Sequence, residues 1–118
     1  MTSQRCFHSH DYFISALKEP LRTVVSESPQ CFIIAWHVDV GQRIAAHVHP
    51  QGQDTWTILS GTGSYILDEQ GNTQEISVGD VVVALVGQVH GVINNSDQPL
   101  KFISVVTPIT AGYQLLGS

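Results

Sequence analysis

From residue 21 to residue 107 the chain is a cadence of short β-rich runs cut by turn residues, and this cadence constrains the fold more than any other feature. LRTVVS, CFIIAWHVDV, RIAAHVH, TWTILS, GSYILD, TQEIS, DVVVALV, HGVINN and LKFISVVT are dense in β-branched and aromatic side chains. Between them stand turn formers such as Glu27-Ser28-Pro29, Gly41-Gln42, Pro50-Gln51-Gly52, Glu69-Gln70-Gly71-Asn72 and Gly79-Asp80. About nine strands at this regular spacing predict an all-β, antiparallel sandwich or barrel. Only the start departs from the pattern. Residues 9–18, SHDYFISALK, predict a short amphipathic helix, with Ser9 as cap, Phe13, Ile14 and Leu17 on one face and Pro20 as stop.

A length of 118 residues fits one domain, 1–118, with a core of its own. Hydrophobic residues make up 42% and charged residues 13%, which excludes a disordered chain. Lys and Arg number 5 against 10 acidic residues, and there is no basic stripe, so neither nucleic acid nor an anionic membrane is expected as partner. The longest apolar stretch, Val81 to Val86, is too short to span a bilayer. The first residues, MTSQRCFHSH, lack the apolar core of a signal peptide. Cys6 and Cys31 match no CxxC or zinc-ribbon spacing. The expected setting is the cytoplasm, with both thiols free and a disulfide as the lesser alternative.

Chemistry concentrates in two segments. Gly41 to Gly61 reads Gly-x5-His-x-His-x4-Asp-x6-Gly, and Gly79 to Asn94 reads Gly-x7-Gly-x2-His-x3-Asn. They offer His47, His49, Asp54 and His90. Imidazole and carboxylate form a ligand set for one divalent transition metal (Fe, Mn, Ni or Zn). His47 and His49 are two apart and share a face on an extended strand. Asp54, Trp56 and Ile58 share one face of their strand, His90, Val92 and Asn94 one face of theirs. Only a closed barrel brings these inward points together.

These residues resemble the two cupin motifs: Gly41-x5-His47-x-His49-x4-Asp54-x6-Gly61, followed by Gly79-x5-Leu85-x-Gly87-x2-His90-x3-Asn94. The match covers 41–61 and 79–94, and the strand-rich flanks supply what a small single-domain cupin of the RmlC-like superfamily needs. The resemblance implies a double-stranded β-helix, or jelly roll. It implies metal-dependent chemistry on a small polar molecule, as in a dioxygenase, isomerase, decarboxylase or lyase. A non-catalytic ligand-binding, sensor or storage module is the alternative. The chain departs from the family twice. Asp54 stands where glutamate is usual, with Gln53 beside it as an alternative oxygen ligand should the strand bulge. Leu85 stands where proline is usual, which should affect turn rigidity only.

Trp36 and Trp56 are candidates for either pocket or core. Tyr65, Tyr113 and Ser104 are candidate acid–base or pocket groups. Arg43 is read as a solvated turn residue, with reach to the barrel mouth as the alternative that its shared parity with His47 allows. His37 should face away from Trp36. Cys6-Phe7-His8-Ser9-His10 holds a second His-x-His, read as a surface segment near a terminus. The apolar N-terminal segment predicts a homodimer, unless it folds back on its own barrel.

Overall fold

The computed structural model describes residues 4–116. All nine expected strands form: β1 (Arg22–Glu27), β2 (Phe32–Val38), β3 (Arg43–Val48), β4 (Gln53–Ser60), β5 (Thr62–Ile66), β6 (Thr73–Ser77), β7 (Val81–Ala84), β8 (His90–Ile93) and β9 (Leu100–Thr107). A short tenth, β10 (Gln114–Leu115), was not anticipated. They make two five-stranded antiparallel sheets, ordered β1-β2-β9-β4-β7 and β10-β3-β8-β5-β6.

Strand alternation sorts the side chains. Along β9, Leu100, Phe102, Ser104 and Val106 are buried while the residues between them are half-buried. Along β4, Asp54, Trp56 and Ile58 turn inward. The main core joins Val38, Trp56, Ile58, Val92, Leu100 and Phe102 with neighbours from both sheets. Burying one such large apolar side chain stabilises the fold by roughly 1.5–3 kcal/mol. A smaller cluster of Ile34, Val106 and Ala111 lies toward the other end.

One motif glycine shows why no other residue serves there. Gly61 has φ +82°, and a Cβ on it would lie 2.2 Å from the Pro99 carbonyl oxygen. Asn94 closes the same end of the barrel. Its buried amide donates to the Val38 and Gln98 carbonyls, and its Oδ1 accepts from the Ser96 backbone and hydroxyl.

The helix expected over 9–18 shrinks to a 3-10 turn, Ser9–Tyr12. His8, not Ser9, holds the cap position, no side chain caps it, and Phe13 is already extended. Tyr12, Phe13 and Ile14 are weak helix formers, and a segment this short does not nucleate on propensity alone. Leu17 is 103% exposed, so there is no shared apolar face to bury. Instead the segment is tied to its own barrel. The Ser15 hydroxyl donates to the Asp39 carboxylate, and Gln42 Nε2 donates to the Ala16 carbonyl at 2.6 Å. No helix among the described residues is long and apolar enough to cross a membrane.

Candidate metal centre

The histidines are brought together by an irregularity in β3. Ile44 pairs with Val92 and His47 with His90, so three steps on β3 oppose two on β8. One extra residue is accommodated as a β-bulge. The bulge lets Ile44 and His47 both face the interior despite their odd separation. It also overturns the parity expected for Arg43, which lies exposed at the start of β3 and lines the neighbouring groove with Lys18.

His47 and His90 are therefore direct cross-strand partners, with ring centroids 4.1 Å apart. His49 follows just past the end of β3, 5.2 Å from the His47 ring and 5.1 Å from that of His90. Asp54 enters from the opposite sheet. One ligand atom from each of His47, His49, Asp54 and His90 can be chosen so that all lie within 4.8 Å of one another.

Each imidazole is aimed by the main chain. The Nδ1 of His47 lies 2.7 Å from the Ala45 carbonyl, that of His49 2.6 Å from the Gly112 carbonyl, and that of His90 3.1 Å from the Gln88 carbonyl. A carbonyl only accepts, so each Nδ1 carries the proton and donates it. The three Nε2 atoms are left for the centre. This arrangement fixes tautomer and ring orientation in metal-ligating histidines. Asp54 Oδ2 lies 3.0 Å from His90 Nε2 and 3.3 Å from His49 Nε2, while Oδ1 accepts from the Ser104 hydroxyl.

Burial, reinforced by repulsion from His90, pushes the His47 pKa down to about 4. Burial works against the carboxylate of Asp54, but hydrogen bonds from His49, His90 and Ser104 outweigh it and hold the group well below the usual carboxylate range. At His49 burial is likewise overcome by the bonds to Asp54 and Gly112, and the net shift is upward. A neutral His47 and an ionised Asp54 are the forms that bind a metal.

The centre opens into a cavity of about 500 Å³. His47, His49, Asp54 and Ser104 lie on its polar side, and Trp36 and Trp56 both line it. Trp56 is also core: 1% exposed, it stacks on Phe102 at 4.1 Å and meets Tyr65 edge-on at 5.1 Å. Tyr65 is thereby buried away from the cavity, and burial raises its pKa further. Tyr113 instead sits at the mouth, its ring 5.0 Å from that of His47. Its pKa is raised by burial and by the charge of Glu19, so it stays a phenol at neutral pH. Gln53 has the outward parity of β4, whose register is regular there. His37 faces the other side of its sheet and pairs with Asp39 at 2.8 Å. His8 and His10 are exposed, and both cysteines are free. Leu85 donates the N–H that a proline would lack to Gln88 Oε1 at 2.9 Å.

Sequence reasoning missed Arg22, which lines the cavity with its guanidinium carbon 4.7 Å above the Phe32 ring. The signal for it was pairing. Arg22 is the cross-strand partner of Trp36, and partners share a face.

A double-stranded β-helix with a three-histidine, one-carboxylate cluster at one end defines the class. The chain belongs to the cupin family: the cupin-domain family model matches residues 35–106, more than half of its length. It is 40% identical to a conserved protein with a double-stranded β-helix domain from Klebsiella pneumoniae, covering 98% of this chain and 100% of that one, with TM-score 0.93. The polyketide cyclase RemF from Streptomyces resistomycificus shares the fold at 17% identity, covering 98% of this chain and 87% of that one, with TM-score 0.79. KdgF from a Halomonas species does so at 22% identity, covering 74% and 78%, with TM-score 0.65. No curated protein matches the sequence.

Proposed function

We propose that this cupin is a metal-dependent enzyme acting on a small molecule held in the barrel mouth. His47, His49 and His90 would hold one divalent transition metal through Nε2, and Asp54 through Oδ2. The observation that carries this reading is the set of three Nδ1–H bonds to main-chain carbonyls, which turn three Nε2 atoms toward one buried carboxylate, where a metal would displace any proton they hold. Such a donor set fits Fe, Mn, Ni or Zn, with loading governed by supply as much as by affinity. A bound metal would supply Lewis acidity or one-electron chemistry to a substrate oxygen.

The chain's own groups do the rest. Ser104 fixes the Asp54 carboxylate by occupying Oδ1. Asp54 in place of the family's glutamate puts the carboxylate one methylene closer to β4, and Gln53, with outward parity, is the weaker candidate. Tyr113 is a proton donor at the mouth, against the His47 ring.

A non-catalytic binding module is the second reading. It draws support from the absence, among the described cavity residues, of a free general base: Asp54 is engaged by Ser104, and Tyr113 retains its proton. Metal analysis of protein purified without chelator, followed by a dioxygen-consumption and turnover screen, tests both. One bound metal per chain with turnover supports the enzyme, metal without turnover the binding module, and no metal neither.

We further infer that the chain pairs as a homodimer, through a surface other than the N-terminal segment. Leu59, Val81 and Val83 expose an apolar strip at the β7 edge. Sedimentation should show a species of twice 12.9 kDa, and a lone monomer would end this reading.

A further inference from the structure

The cavity's walls are more apolar than a small polar ligand calls for. Phe32, Ile34, Trp36, Ile44, Val106 and Ile109 form most of the surface facing the His–Asp centre. Arg22 is the only cationic side chain among the residues lining it apart from the histidines. Among the described residues Arg22 forms no ion pair and no side-chain hydrogen bond. Its guanidinium lies over the Phe32 ring, 4.7 Å from the centroid to Cζ. Stacking of this kind holds the planar fork in place and leaves its edge N–H donors free. An apolar trough therefore has an exposed, unpaired bidentate donor at its rim and the metal-ligand set at its inner side.

We propose that the ligand of this site is an amphipathic anion: a flat, largely apolar body, of aromatic size, carrying a carboxylate that Arg22 binds. The cavity of about 500 Å³ is ample for a one- or two-ring molecule. The apolar body lies against Phe32 and Trp36, the carboxylate meets the Arg22 fork, and the remaining end faces the Nε2 atoms. The inference deepens the metal-dependent reading by naming its substrate class, and it rests on that reading for the chemistry but not for the binding.

The chain's only two tryptophans, Trp36 and Trp56, both line the cavity, so their emission reports its occupancy. The full chain, once stripped with chelator and once reloaded with metal, is titrated with cinnamate, with neutral cinnamyl alcohol and with acetate. Quenching is read beside calorimetry. Cinnamate is expected to bind one per chain in both forms, at least about tenfold tighter than the alcohol or acetate. Arg22→Gln should weaken cinnamate about tenfold or more and leave the alcohol unchanged. Equal binding of cinnamate and its alcohol, acetate as tight as cinnamate, or no effect of Arg22→Gln would each overturn the proposal. Should Arg22→Gln fail to fold, the acid–alcohol comparison in the wild type decides alone. Arg22-dependent binding in a chain that retains no metal would sink the metal reading and spare this one. Full metal loading without cinnamate binding would do the reverse.

Discussion

Four strands run from a packed end of the barrel to an open end, and the two ends are made by the same rule. On β2 the inward positions go from Val38 to Trp36, Ile34 and Phe32; on β4 from Ile58 to Trp56 and Asp54. On β8 they go from Val92 to His90, and on β9 from Leu100 and Phe102 to Ser104. Alternation decides only that a side chain points inward. At one end the inward residues are large hydrocarbons that meet across the sheets. At the other they are imidazoles, a carboxylate, a hydroxyl and wall residues that stop short of one another. The fold and the site are thus separable in energy though not in sequence. Bulk at one end stabilises the chain, and its lack at the other makes room for a ligand.

The sharpest break of this contrast is at the packed end. Phe102→Ala should cost about 3–5 kcal/mol in denaturant unfolding, because the cavity left under Trp56 cannot collapse. A loss below about 1 kcal/mol would mean that the packed end carries no special share of stability.

At the open end the expected effect is on metal. Metal at a thousandfold excess over its Kd should stabilise the wild type by about 4 kcal/mol, read as a rise in unfolding midpoint. His90→Ala should abolish that rise. Equal metal content in the wild type and in His47→Ala/His90→Ala would contradict the centre altogether.

Smaller effects separate the neighbours. Asp54→Ala should weaken metal retention far more than Gln53→Ala, and the reverse order would make the amide the oxygen ligand. Ser104→Ala should lie between them, with metal affinity down about 10–100-fold. Unchanged affinity there would show that Asp54 needs no support from β9.

The nine strands were legible because alternation and turn residues act locally. Asp54, Trp56 and Ile58 fall on one face by parity alone, and they do so in the structure. The bulge in β3 was not legible, since Ala45 and Ala46 look like any strand residues and only pairing with β8 reveals the extra one. The alternative for Arg43, reach to the barrel mouth, rested on that parity and falls with it, while its reading as a solvated turn residue agrees with its exposure. Arg22 was missed because its face depends on its partner Trp36. The N-terminal helix failed where bonds to Asp39 and Gln42 outweighed a weak local preference. β10 and the Gly112 carbonyl belong to a segment whose composition carries no strand signal.

The tethers on the three imidazoles bear on how such a site drifts over generations. Ala45, Gln88 and Gly112 orient His47, His90 and His49 through carbonyl oxygens, which every amino acid possesses. Residue 45 can therefore be replaced without disturbing the aim of a ring, so long as the backbone keeps its course, whereas Gln88 also holds its own turn by accepting the Leu85 N–H through its side chain. Gly112 is less free, because its φ of +79° penalises other side chains. An alignment of descendants would leave position 45 looking unconstrained. The orientation of the site would be inherited through the backbone path rather than through any visible signature of letters.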